Sequence, residues 1–239
     1  AELLSRELPG YDFVAEVTGG SVENLSLLLG GDVQVAFSMG TSAYEVFHAT
    51  GSFSERAPAQ VLALTALYPN VLHLVTLEGT GLENLQDLVG RRVSIGAPGS
   101  GTEVAARTLL EGNGISYDDF RPQRLNFNET ASALRDGNID AGFLSAGPPT
   151  SAIMDLATAR AMQLVPIGAA EVENISVLDP TVSRDFFLPG TYPGQESEVG
   201  TLSTPNLLVV HAGMSEELVY DLTKALFAVQ GELAGVHPA

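Results

Sequence analysis

At 239 residues the chain exceeds an average single domain but is short for two large ones, so one large domain or two small lobes is the starting expectation. A 45% hydrophobic share supports a substantial core and excludes disorder, while 29 acidic against 11 basic side chains leave a formal charge of -18 that repels nucleic acid. The lack of cysteine excludes disulfides, thiolate metal sites and a cysteine nucleophile, and no apolar run approaches the ~20 residues that cross a bilayer.

No leader pattern of charge, apolar run and small-residue cleavage site opens the chain at Ala1-Glu2-Leu3-Leu4, so a leader is either removed or lies upstream. A helical stretch over 1–8 comes first, then an apolar strand over 13–17. That strand runs into Thr18-Gly19-Gly20-Ser21, a helix start with Ser21 as the N-cap, and a helix follows over 21–29. The next strand, 33–37, ends in Ser38-Met39-Gly40-Thr41-Ser42, a second junction of the same kind, before a helix over 41–49.

Two apolar strands are expected at 61–66 and 71–77, then a helix over 82–88 and a strand over 92–95. That last strand leads into the most informative segment, Ser94-Ile95-Gly96-Ala97-Pro98-Gly99-Ser100-Gly101-Thr102-Glu103. A glycine-rich turn opening a helix points unpaired amides and the positive dipole end outward, and the Ser100 and Thr102 hydroxyls can complete an anion cradle. The spacing copies a phosphate loop but lacks its lysine, and it lacks the third glycine of a dinucleotide fingerprint. The alternative is a plain capping box, Ser100 with Glu103, that only starts the helix.

That helix, 100–113, places Val104, Ala105, Leu109 and Leu110 on one side and Glu103, Arg107 and Glu111 on another, as a surface helix does. A strand over 123–127, a helix over 129–136 and a strand over 141–144 follow. Ala146-Gly147-Pro148-Pro149-Thr150 then forms a further strand-to-helix junction, which reads equally as a rigid turn or a ligand contact. After a helix over 150–159 and a strand over 163–167, the irregular Pro189-Gly190-Thr191-Tyr192-Pro193-Gly194-Gln195 offers Tyr192 as a pocket wall. A strand over 206–211 and a helix over 215–232 complete the chain.

Alternating short strands and helices predict a parallel-sheet α/β architecture, whose strand-to-helix turns gather at the strands' carboxyl edge. The pattern between Val93 and Ile167 reads as a self-contained unit, so residues 1–78 with 206–239 are expected as one lobe and 79–205 as a second, with 71–77 and 206–211 crossing between them and a single domain as the alternative. Catalytic patterns are poor: no Gly-x-Ser-x-Gly elbow occurs, and His48, His73, His211 and His237 have no metal-ligand spacing. No catalytic residue, metal or cofactor is expected.

Thr18–Leu25 (TGGSVENL), Ala66-Leu67-Tyr68-Pro69 with His73-Leu74-Val75, Gly96–Glu103 (GAPGSGTE), Asp140–Pro149, Gly190–Gln195 (GTYPGQ) and Leu218–Phe227 occur in that order. Together they resemble the TAXI-type solute receptors of TRAP transporters through nearly the whole chain. The resemblance implies a type II periplasmic-binding-protein fold, two α/β lobes joined by two hinge strands around a ligand cleft. It implies binding of glutamate, glutamine or another small organic acid and delivery to a TRAP membrane permease driven by an ion gradient. The location implied is the periplasm or the outer cell surface, soluble or lipid-anchored. Carried over motif by motif, ligand contacts fall on Ser21, Ser38, Gly40, Tyr68, Ser100, Gly101, Thr102, Gly147 and Tyr192. The family begins with a strand and glycine-rich loop before the helix that opens here at Ala1, so part of the pocket is expected upstream. An enzyme or a ligand-sensing domain on the same fold stays open as an alternative.

Overall fold

Pro69 divides two apolar runs in the sequence, yet both belong to one strand. In the computed structural model, which describes residues 1–59 and 61–236, β2 extends over Val61–Leu77 without a break. Its partner is β8, Val199–His211, antiparallel from Val61 opposite His211 to Val71 opposite Ser203. The register slips between Ala63 and Thr65 and again between Ala66 and Tyr68, and Pro69 then faces Pro205. Neither proline has an N–H to give the ladder, so the pairing is weakest where the two strands pass mid-sheet.

The other elements hang on this pair. They are α1 (Glu2–Glu7), α2 (Ser21–Gly30), β1 (Val35–Met39), α3 (Gly40–His48), β3 (Arg92–Ser94), α4 (Gly101–Gly112), β4 (Arg121–Gln123), α5 (Phe127–Arg135), β5 (Ala141–Ala146), α6 (Ser151–Ala159), β6 (Met162–Leu164), α7 (Ala169–Ser176), β7 (Ser183–Phe187), α8 (Glu216–Ala228) and α9 (Gln230–Val236). The eight strands form one sheet in the order β1-β8-β2-β5-β3-β4, with β6 on β2 and β7 on β8. β1 lies on the 206–210 half of β8, while β5 and β6 lie on the 71–77 half of β2. Only β3 with β4 and β3 with β5 run parallel. The sheet is therefore mixed, not all parallel as the alternation of elements predicts. The two long connecting strands pair antiparallel with each other and with every neighbour.

β5 is buried along its length except for its last residue, because helices cover both faces of its part of the sheet. Val93, Ile95, Ala106, Leu109 and Phe143 pack on one face, and Val75, Leu144, Ile153 and Leu156 on the other. A smaller third core joins Leu25, Leu28, Val46, Phe53 and Val209 around α2, α3 and β1.

Several expected elements take another form. Residues 13–17 are not a strand: Val14 and Val17 are exposed, the Phe13 amide donates to the Ser5 hydroxyl at 3.1 Å, and no strand among the described residues pairs with the segment. Helix α7 and strand β7 arise in stretches that carry no strong periodicity, and 82–88 contains only a single 3-10 turn, Leu85–Leu88. α4 is less a surface helix than its charged stripe suggests. Arg107 donates to Glu45 of α3 at 2.5 Å, Glu45 also accepts the Ser52 amide at 3.0 Å, and both charged side chains are largely covered. Among the described residues no helix is long and apolar enough to cross a membrane.

Candidate binding site

Helices α2, α4 and α5 begin at one place, α4 and α5 after turns that leave β3 and β4 and α2 after the irregular segment that precedes Ser21. They meet around a cavity of about 530 Å³, within the ordinary range of small-molecule pockets. Gly20, Ser21 and Asn24 line it from the first junction, Ser100, Gly101 and Thr102 from the second, and Asn126, Phe127 and Asn128 from the third. Phe37 and Ser38 of β1, Tyr68 and Asn70 of β2, Ser145 to Gly147 at the end of β5, and Asn206 of β8 complete the wall.

Each helix start satisfies some of its own amides and leaves others. In α4 the Ser100 hydroxyl accepts the Glu103 amide at 3.2 Å, so the cap is real. The Glu103 carboxylate does not return to close a box, and accepts the Tyr117 hydroxyl at 3.1 Å instead. The Gly101 and Thr102 amides have no partner among the described residues. In α5 a full capping box joins Asn126 and Glu129 at 3.0 and 2.9 Å, which leaves the Phe127 and Asn128 amides. In α2 the Val22 and Glu23 amides donate to the Gly99 carbonyl at 3.0 and 3.3 Å, and only the Ser21 amide is left at the cavity. The Gly99 carbonyl thus caps α2, tying the second junction to the first.

That tie requires close approach. A Cβ on Gly20 would stand 3.1 Å from the Ser100 Cα, and one on Gly101 would stand 2.5 Å from the Ser21 hydroxyl. The same Ser21 oxygen accepts the Met39 amide at 3.0 Å, fixing β1 against the pair.

None of the residues lining this cavity is charged. Five unpaired amides, the Ser100 and Thr102 hydroxyls and three positive helix ends therefore set its electrostatics, and they favour an anion. The sheet side is polar in a different way. Asn206 Nδ2 donates to the Tyr68 hydroxyl at 3.0 Å, while Asn206 Oδ1, Asn70 Nδ2 and Ser145 Oγ have no hydrogen-bond partner among the described residues. Asn70 and Ser145 are only 4% and 6% exposed. Leaving such groups unpaired costs about 1–3 kcal/mol each, which a folded chain tolerates where a ligand completes the bonding. Burial also pushes the Tyr68 phenol above its ordinary value.

Of the residues expected to contact ligand, Ser21, Ser38, Tyr68, Ser100, Gly101, Thr102 and Gly147 all line this one cavity. Gly40 does not: it packs against Thr181 and Thr204, whose side chains a Cβ there would strike. Tyr192 is not a pocket wall either. It is 1% exposed, its hydroxyl lies 2.7 Å from His73 Nε2, and it accepts the Thr150 amide at 3.0 Å. His73 Nδ1 donates to the Val71 carbonyl at 2.9 Å, so its Nε2 is the bare nitrogen that accepts the Tyr192 proton. Tyr192 is a core residue that pins the 147–150 turn to the sheet. Residue 237, one of the four histidines, lies outside the described residues.

Burial holds His73 at a pKa of about 4, below its ordinary 6.5. Above pH 6.5 it is neutral in both folded and unfolded chains; between 6.5 and 4 only the unfolded chain takes the proton. This group therefore removes about 3 kcal/mol of stability as pH falls through that window, and none above it. Urea midpoints measured across that range for wild type and His73→Gln should converge as the pH drops; parallel curves would show that His73 carries none of the loss.

Asn24, Phe37, Asn70, Phe127, Asn128, Ser145 and Asn206 were not anticipated, nor was Asn126. The Asn126…Glu129 spacing after a strand was a readable helix-start signal. Asn24, Phe127 and Asn128 lie in the first turns of α2 and α5, the others in or beside strands, and none carries a local pattern that marks a contact. Among the described residues no cluster of three metal-ligating side chains occurs.

A family model described as the NMT1-like family matches residues 1–239. Among solved structures, the chain is similar to the periplasmic aliphatic sulphonate-binding protein SsuA from Escherichia coli, at 15% identity and a TM-score of 0.55, covering 98% of this chain and 71% of that one. It is also similar to a putative L-cystine ABC transporter protein from Listeria monocytogenes, at 16% identity and a TM-score of 0.57, covering 98% and 81%. A third is the amino acid ABC transporter substrate-binding protein AbpA from Streptococcus pneumoniae bound to L-arginine, at 16% identity and a TM-score of 0.57, covering 98% and 78%. The fold is thus the α/β fold of type II periplasmic binding proteins.

Proposed function

The chain belongs to the NMT1-like family, and from that premise we propose that it is a solute-binding receptor which takes a small anion into the three-helix cavity and presents it to a membrane permease outside the cytoplasm. One observation carries the reading: the unpaired amides of Ser21, Gly101, Thr102, Phe127 and Asn128 line one cavity with the unpaired side chains of Asn70 and Ser145. That wall holds no histidine, cysteine, lysine or carboxylate to activate its hydroxyls, which favours capture over turnover. The likeness to transporter-associated binding proteins supports the same reading.

One lobe carries α2, β1 and α3, and the other carries α4, α5 and β5 together with the 71–77 half of β2, which pairs with β5 and β6, so we put the boundary at the crossing of β2 and β8 and not at residue 78. Ligand bonds to both, through α2 on one side and α4, α5 and β5 on the other, so it stabilises the closed arrangement and shifts the population toward it. The hinge lies at Tyr68–Val71 and Ser203–Asn206, where the facing prolines weaken the ladder. The GAPGSGTE and GTYPGQ motifs favour a TRAP permease, and the fold neighbours named above favour an ABC permease. Uptake by cells carrying the receptor and its permease separates them: collapse of the ion gradient stops the first, loss of ATP the second.

The receptor itself is tested by native mass spectrometry of the purified protein, followed by thermal denaturation with small acids, glutamate and glutamine among them. A co-purified acid, or a rise in midpoint with at least one, is expected. An empty protein whose midpoint none of them moves would remove the receptor reading.

A further inference from the structure

The cavity is built for one end of an anion and offers a cation no carboxylate. Its positive side consists of three helix starts that converge from separate parts of the chain, with five unpaired amides between them. Its remaining wall offers carboxamides, hydroxyls and the rings of Phe37, Tyr68 and Phe127, with no aspartate or glutamate among them. The acids nearest in sequence are spent elsewhere. Glu23 accepts the Gly19 amide, Glu129 closes the box with Asn126, and Glu103 holds Tyr117.

An amino acid brings an ammonium within two bonds of its carboxylate carbon. Here that ammonium would sit among positive helix ends, with no carboxylate to pair with, and burying an unpaired charge is far costlier than burying a paired one. By contrast, Asn70 Nδ2 is a buried donor, Asn206 Oδ1 an acceptor and Ser145 Oγ either, and all three lack a partner among the described residues. They suit a neutral carbonyl, hydroxyl or amide.

Resting on the receptor reading above, we infer that the ligand is a carboxylate without an ammonium, whose second polar group is an uncharged carbonyl, hydroxyl or amide received by Asn70, Ser145 and Asn206. This ligand class departs from glutamate and glutamine, the ligands that the motif resemblance implies.

Calorimetric titration of the full chain near neutral pH with matched acids tests it: pyruvate and lactate against alanine, α-ketoglutarate and α-hydroxyglutarate against glutamate. Within a set that binds, the oxo or hydroxy acid is expected to bind about tenfold or more tightly than its amino counterpart. Equal or tighter binding of the amino acid overturns this inference and leaves the receptor standing. No saturable heat from any member removes both. Asn70→Asp supplies the missing carboxylate and is expected to narrow or invert the preference. Should that variant fail to fold, Asn206→Asp asks the same question from the opposite strand, and the wild-type titration decides on its own.

Discussion

Replacing Gly20 with alanine should cost about 4 kcal/mol of stability and abolish saturable ligand binding. Gly20 is the N-cap of α2 at φ 126° and ψ -152°, a region that essentially only glycine occupies, and forcing another residue into it costs about 1–3 kcal/mol. The steric term adds to this. The new methyl group would press on the Ser100 Cα at 3.1 Å, which is backbone and cannot rotate away. Relief requires α2 and the 96–103 turn to part, which breaks the bonds from Val22 and Glu23 to the Gly99 carbonyl and separates the Ser21 amide from those of Gly101 and Thr102. Gly10→Ala is the control, because a Cβ there meets nothing within 4 Å. Urea denaturation of both variants, with calorimetry on whatever stays folded, gives the answer. A wild-type midpoint for Gly20→Ala would show that the two junctions do not touch.

Tyr192→Phe is expected to be comparably costly, although it removes a single oxygen. That oxygen accepts the Thr150 amide and donates to His73 Nε2, both deep in the protein. Its loss leaves two buried polar groups unpaired at about 1–3 kcal/mol each, so a loss of about 4 kcal/mol is expected. Burial holds the phenol up at about 12, so it stays protonated, and the network intact, through neutral pH. Thr150 is the N-cap of α6, directly after Gly147-Pro148-Pro149, so the variant should also loosen the Gly147 edge of the cavity. The signature is a lowered urea midpoint together with weaker binding of whichever acid the wild type accepts. A fall in stability with unchanged affinity would show that Tyr192 supports the core but not the site.

Much of the site was legible because it is built from local chemistry. Ser100 before Glu103 satisfies a helix start within three residues, as a cap must, and Asn126 before Glu129 does the same, although 123–127 reads as a strand there. Glycine-rich junctions at 18–21 and 96–102 advertise close approach in the same local terms, and both reach the cavity. Where a reading rested on periodicity alone it was less secure. Val14 and Val17 have the composition of a strand, but a strand exists only where another is free to pair with it.

What the amino-acid order determined by itself, then, was the α/β character, the helix starts and the anion-favouring turns, since caps and dipoles are decided within a few residues. The folded chain alone decided which turns face one another, that a carbonyl at Gly99 caps a helix beginning at Ser21, and that Tyr192 belongs to the core. His73 and Tyr192 stand 119 positions apart, and Asn206 and Tyr68 stand 138 apart. Asn206 meets Tyr68 only once β2 and β8 have paired, because strand register sets which distant side chains share a face, whereas Tyr192 reaches His73 from the irregular passage between β7 and β8.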